Sequence, residues 1–254
     1  AKYEIMATVS RPVLILGATG GIGLHLVKQL LANGTPVRAV VRSPGKLPDA
    51  VKKDVNFSIV QAKVTDVTDA ELDSHVRGCN AVVSCLGHVE VFGEPKDLVL
   101  QIARRVCESL GRVQSDESEG KAKFVLLNTV LVTNPKDPSD QAYHGWASRC
   151  LVGALHWALP PMVDNTKTAH YLIEDIGPSH PKVEYCIVRP DSLSDKLENV
   201  SSYAVHETLQ NGVFSPIGTS KVNVANFMMR LVLDQGYWET WRGKMPVVVD
   251  SASG

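Results

Sequence analysis

Short apolar runs rich in β-branched residues recur along the chain, separated by stretches whose apolar positions repeat at helical spacing. Val13-Leu14-Ile15-Leu16 is the first run. Pro36 to Val41, Phe57 to Ala62, Ala81 to Leu86, Lys123 to Asn128 and Val183 to Val188 follow. Each is too short for a helix and is bounded by turn residues, so each reads as a strand. Residues 21 to 32 read as a helix closed by Asn33-Gly34, and a second helix spans about 163 to 176. Leu98 to Leu110 sets Val99, Ile102, Ala103, Val106 and Leu110 along one helical face. Strands alternating with helical crossovers predict an α/β fold, a doubly wound parallel sheet covered on both faces. No internal repeat or low-complexity block interrupts it, and residues 133 to 162, with Pro135, Pro138, Pro160 and Pro161, are expected to be its least regular part. Residues 1–10 are expected to be a flexible tail and 11–254 a single domain.

Between the first strand and the first helix stands GATGGIG, Gly17 to Gly23. Glycine is unfavourable in regular structure, so four in seven positions need a geometric reason. The spacing Gly17-x-x-Gly20-x-x-Gly23, in this strand-to-helix context, is that of a dinucleotide-binding turn. Gly17 permits the tight turn, Gly20 lets the backbone approach a pyrophosphate, and Gly23 lets the helix lie close on the sheet. Thr19, Gly21 and Ile22 complete the segment set against the phosphates, at a helix N-terminus that favours anions.

The second strand bears on which dinucleotide binds. A ribose 2′-hydroxyl is normally held by an acid about 20 residues on, but here the strand runs into Arg42-Ser43-Pro44-Gly45-Lys46 and the first acid is Asp49. Arg42, Ser43 and Lys46 suit a 2′-phosphate, which favours NADP(H) over NAD(H).

Composition narrows the partners. Of 254 residues, 44 % are apolar and 21 % charged, with a net charge of -1. There is no broad basic field for nucleic acid and no apolar run long enough to span a bilayer. The expected partner is a small-molecule substrate, and the expected state a monomer or homodimer. Five scattered cysteines with no CxxC pair predict reduced thiols, no metal and a cytoplasmic location.

With these residues in view, the chain resembles the atypical branch of the short-chain dehydrogenase/reductase superfamily, which includes NmrA-like and biliverdin-reductase-B-like proteins. GATGGIG, VRAVVRSPGKL (37–47), Asp66-Val67, VVSCLG (82–87), FVLLNT (124–129), VEYCIVRPDSL (183–193) and SKVNVANFMMRLVLD (220–234) carry the resemblance over nearly the whole chain. It implies a Rossmann fold with a small C-terminal substrate lobe, built from about 131–162 and 191–220. By the same resemblance Asp66 and Val67 meet adenine, Leu86 and Gly87 line the ribose pocket, and Asn128 belongs to the cofactor set. Thr129 stands near the nicotinamide, and Lys167 holds its ribose.

One departure is plain. The superfamily's tyrosine acid, four residues before the lysine, is here Val163, and no Tyr-x-x-x-Lys occurs anywhere. Another proton source is therefore needed for reduction of a carbonyl. His170, one turn beyond Lys167, is a candidate beside Thr129 and Lys167. Tyr143-His144 is a candidate lid, while Ser84 and Cys85 are expected to pack rather than react. Trp146, Trp157, Met162, Leu193 and Phe214 are candidates to line an apolar substrate pocket.

Three functions fit: an NADP(H)-dependent oxidoreductase of a small apolar or aromatic molecule, a non-catalytic redox sensor of NmrA-like type, and a redox-neutral isomerase or epimerase.

Overall fold

The computed structural model describes residues 11–88, 91, 93, 95–114, 120–141, 145–212 and 214–251. The expected tail and the Tyr143-His144 lid lie outside the described residues.

The chain alternates as the pattern predicts. Strand β1 (Val13–Leu16) leads into helix α1 (Gly21–Ala32), then β2 (Val37–Val41), the short α2 (Asp49–Lys52) and β3 (Phe57–Gln61). Next come α3 (Asp69–Val76), β4 (Ala81–Ser84), α4 (Leu98–Val113), β5 (Ala122–Leu127), α5 (Trp146–Ala158) and α6 (Pro160–His170). The chain ends with β6 (Val183–Pro190), β7 (Ser192–Ser194), β8 (Tyr203–His206), β9 (Gly218–Ser220), α7 (Lys221–Leu233), α8 (Gln235–Trp241) and β10 (Val247–Asp250).

Eight strands form one sheet in the order β3-β2-β1-β4-β5-β6-β10-β8. All neighbours are parallel except β8, which runs antiparallel to β10. This is a Rossmann-like α/β fold. The sheet order turns back on itself between β1 and β4, and ligands of such sheets bind outside the carboxyl ends of the strands at that point.

Strand alternation explains why the runs are apolar throughout. Val13, Ile15, Val125, Cys186 and Val188 enter the core under α1 and α7, with Phe227 and Trp238. Leu14, Leu16, Phe124, Leu126, Tyr185 and Ile187 enter the opposite core under α4 and α6. The central strands β1 and β4 bury both faces, so no polar alternation is left to see in them, whereas β3 at the sheet edge stays largely exposed.

The segment 133–162 departs from expectation. It was expected to be irregular on account of its prolines, yet it holds α5 and the start of α6. Pro160 and Pro161 open α6 rather than break it, because the first turn of a helix needs no amide hydrogen there. The helix expected over 163–176 ends in a wider turn, Tyr171–Ile176, stopped by Gly177 at φ 62°. Within 191–220, β8 joins the main sheet, while β7 and β9 pair with each other apart from it.

A buried ion pair ties the segment around Asp140 to the sheet. Arg189 and Asp140 are both almost wholly buried and meet in a two-pronged contact of 2.5 and 3.0 Å. Arg189 also donates to the carbonyls of Met245 and Val132, while Asp140 accepts from the amides of Asn134 and Leu209. Four segments distant in sequence are thereby held at the carboxyl edge of the sheet.

Candidate active site

The glycine turn has the geometry that its spacing suggests. Gly17 sits at φ 86°, where a Cβ would also stand 2.7 Å from the Cys85 carbonyl oxygen. A Cβ on Gly23 would lie 2.2 Å from the Gly17 carbonyl oxygen. The Gly20 amide donates to that same oxygen at 3.0 Å. Helix α1 then begins with no side-chain cap and no acid in its first turn. Its first amides are aimed past the turn, a cradle that suits a diphosphate. The residues present fit a dinucleotide. Lys221 crosses the same place: its Nζ lies 3.1 Å from where a Gly21 Cβ would be, and it pairs with Asp195 at 2.6 Å.

The remaining expected cofactor residues lie along the same sheet edge. Arg42 is exposed directly after β2, with Ser43 half-buried and Lys46 exposed in the following turn. Asp66 is exposed and accepts from the Thr65 hydroxyl, whereas the Val67 side chain is buried among Leu14, Leu16 and Val40. The Leu86 backbone abuts Gly17, and Gly87 is exposed with open space beside it.

At the ends of β5 and β6 a cavity of about 230 Å³ opens, walled by Thr129, Leu131, Asp191, Leu209, Val247 and Val249 among others. The Thr129 hydroxyl accepts from the Leu131 amide at 3.3 Å and keeps its own proton to donate. Asp191 accepts from the Ile217 amide at 2.8 Å; burial pushes its carboxyl above the ordinary value, against the pull of the Ile217 and Ser192 amides. The Asn128 side chain is used by the fold: Nδ2 donates to the Asn165 carbonyl at 3.0 Å, and Oδ1 accepts from the Thr129 amide at 2.8 Å. Lys167 is exposed on α6, and His170 is half-buried one turn beyond it.

The expected aromatic lining does not assemble. Trp146 is 82 % exposed and Phe214 66 % exposed, Leu193 is exposed, and Met162 is buried; none of them walls the cavity. The Trp157 side chain lies outside the described residues. The cavity is instead walled by aliphatic side chains, with Thr129, Asp191, Ser192, Gln210 and Asn211 as polar groups. Ser84 is buried, and burial pushes the Cys85 thiol up to about 12, so both pack as expected.

Three further residues were not singled out from the sequence. Asp191 stood in a recognised stretch but unremarked, and its place after a strand end was the available signal. His88 and Asp164 are 76 positions apart, and nothing local joins them. They meet at 2.7 Å, both nearly inaccessible to solvent. Asp164 also accepts from the Val99 and Leu100 amides at 2.8 and 3.0 Å, capping α4 from another helix.

The comparisons agree with this geometry. A family described as NAD(P)H-binding matches residues 17–235. A divinyl chlorophyllide a 8-vinyl-reductase of Oryza sativa subsp. indica, a chloroplastic protein, is 34 % identical over 140 residues, covering 52 % of this chain and 33 % of that one. An uncharacterised chloroplastic protein of Arabidopsis thaliana is 30 % identical over 126 residues, covering 50 % of this chain and 44 % of its own. The chain thus spans less than half the length of these curated relatives. The plant relatives lend no support to a cytoplasmic location; no described helix is long and apolar enough to cross a membrane. Among solved structures, the oxidoreductase ylbE from Lactococcus lactis shares the fold at TM-score 0.67 and 19 % identity, over 96 % of this chain and 92 % of that one. A Rossmann-fold NAD(P)-binding family protein from Shigella flexneri does so at 0.61 and 20 %, over 96 % and 98 %.

Proposed function

The chain belongs to the NAD(P)H-binding family, and on that premise we propose that it is an NADP(H)-dependent oxidoreductase of a small, largely apolar molecule. One observation carries the reading. An uncapped helix N-terminus behind a turn that only glycine fits shares a sheet edge with a cavity walled by Thr129. The reductase names borne by plant relatives support the same class of chemistry.

When bound, the cofactor supplies or accepts the hydride. The chain's own residues bind and orient. The amides of Thr19, Gly21 and Ile22 would hold the diphosphate, and Leu86 and Gly87 would border the riboses. Arg42, Ser43 and Lys46 would hold the 2′-phosphate. The Thr129 hydroxyl would donate a hydrogen bond to a polar group of the substrate, while Leu131, Leu209, Val247 and Val249 would enclose its apolar part and exclude water.

Calorimetry tests the cofactor assignment. Arg42→Ala should weaken NADPH binding by about 1–3 kcal/mol, the scale of a hydrogen bond to a charged group, and leave NADH binding nearly unchanged. Equal losses for both would refute the role of Arg42.

Val163 favours a second reading, a redox sensor that binds the dinucleotide without turning it over. Absorbance of reduced nicotinamide, followed with quinones, flavins and aldehydes, separates the two. Consumption indicates the enzyme; tight binding selective for one oxidation state, without consumption, indicates the sensor.

A further inference from the structure

The contact between His88 and Asp164 has no part in the roles given so far. The Asp164 carboxylate is buried and already takes hydrogen bonds from two backbone amides. A carboxylate only accepts, so His88 Nε2 must carry a proton toward Oδ2, which leaves Nδ1 as the ring atom able to exchange a proton. The N-terminus of the 16-residue α4 stabilises the negative charge on Asp164.

Position gives the pair its interest. His88 directly follows Leu86 and Gly87 at the exit of β4, beside the turning point of the sheet order. Asp164 adjoins Val163, where the expected acid is missing, and stands one turn before Lys167. The next residue, Asn165, accepts through its carbonyl from Asn128, whose own oxygen holds the Thr129 amide. One turn of α6 therefore links the His88 ring to the cavity wall at Thr129.

We propose that His88, oriented by Asp164, is the proton donor of the reaction and that the reducible group of the substrate is a carbonyl. This rests on the oxidoreductase reading. As hydride from the reduced dinucleotide forms the new C–H bond, the carbonyl π pair moves to oxygen. The doubly protonated ring of His88 passes its Nδ1 proton to that oxygen and is left neutral, with Nε2–H still on Asp164. Water returns the proton to the ring. Asp164 is a positioning residue: it fixes which nitrogen keeps its hydrogen.

Nitrogen-15 NMR of histidine-labelled full-length protein tests the arrangement without turnover. Before ligand is added, the Nε2 signal of His88 should be that of a protonated nitrogen. NADP⁺ should move its Nδ1 signal, and adenosine 2′,5′-bisphosphate, which lacks the nicotinamide half, should not. His88→Gln should bind NADP⁺ within about twofold of the wild type yet lose about 100-fold or more of carbonyl-dependent NADPH oxidation. Asp164→Asn should keep NADP⁺ binding, lose the Nε2–H signature and lower kcat with KM unchanged. If NADP⁺ binds by calorimetry and the His88 signals stay still, the donor role is overturned while the oxidoreductase reading stands. A wild-type chain whose signals move but which reduces no carbonyl also overturns it. Absence of any NADP⁺ binding defeats the oxidoreductase reading itself.

Discussion

Gly17 shows how much one position can decide. Its positive φ excludes most side chains, and the Cys85 carbonyl fills the space that a Cβ would take, so only glycine lets the chain turn here without strain. Cys85 itself is held neutral by burial. Burial pushes the Cys85 and Cys107 thiols up to about 12 and Cys79 up to about 11, whereas an unfolded chain releases such protons near pH 8.5. The folded state therefore binds more protons than the unfolded state between those limits. Stability is full below about pH 8.5 and falls as pH climbs toward 12. Urea unfolding under reducing conditions should give similar free energies at pH 7 and 8 and a clear decline by pH 10. A flat profile through pH 10 would contradict the burial of these thiols.

At the scale of elements, legibility followed locality. Six of the seven parallel strands were readable because each centres on a short apolar run, the exception being β10, and α1 was readable because its boundary residues mark both ends. Helix α5 was missed because it lies among prolines that read as breakers, although Pro160 and Pro161 begin the next helix instead. The three-residue strands β7 and β9 carry too little pattern to be seen. Their place depends on tertiary contacts such as the Ile217 amide on Asp191. The cap on α4 is equally invisible in sequence, since it comes from Asp164, 65 residues beyond Val99. The Arg189–Asp140 pair belongs to the same class. Asp140→Ala leaves a buried guanidinium uncompensated and should destabilise the fold by about 3–5 kcal/mol. Urea denaturation measures this; a loss below about 1 kcal/mol would show that the pair does not hold these segments together.

Across the whole molecule, the sheet order places everything with a chemical role on one edge. Strands β1 and β2 end at the glycine turn and Arg42, β4 ends at Leu86 to His88, and β5 and β6 end at Thr129 and Asp191. A ligand lying along that edge would meet phosphate-holding amides at one end and the cavity at the other. The first half of this edge was legible, because its signal is a local glycine pattern; the second half was not, because residues as distant as Leu131 and Val249 build it. The most direct measurement is a crystal structure with NADP⁺ soaked into the protein. The diphosphate is expected on the amides of Thr19, Gly21 and Ile22, with the nicotinamide beside Thr129. Density for the diphosphate anywhere other than the glycine turn would contradict the assignment of this edge.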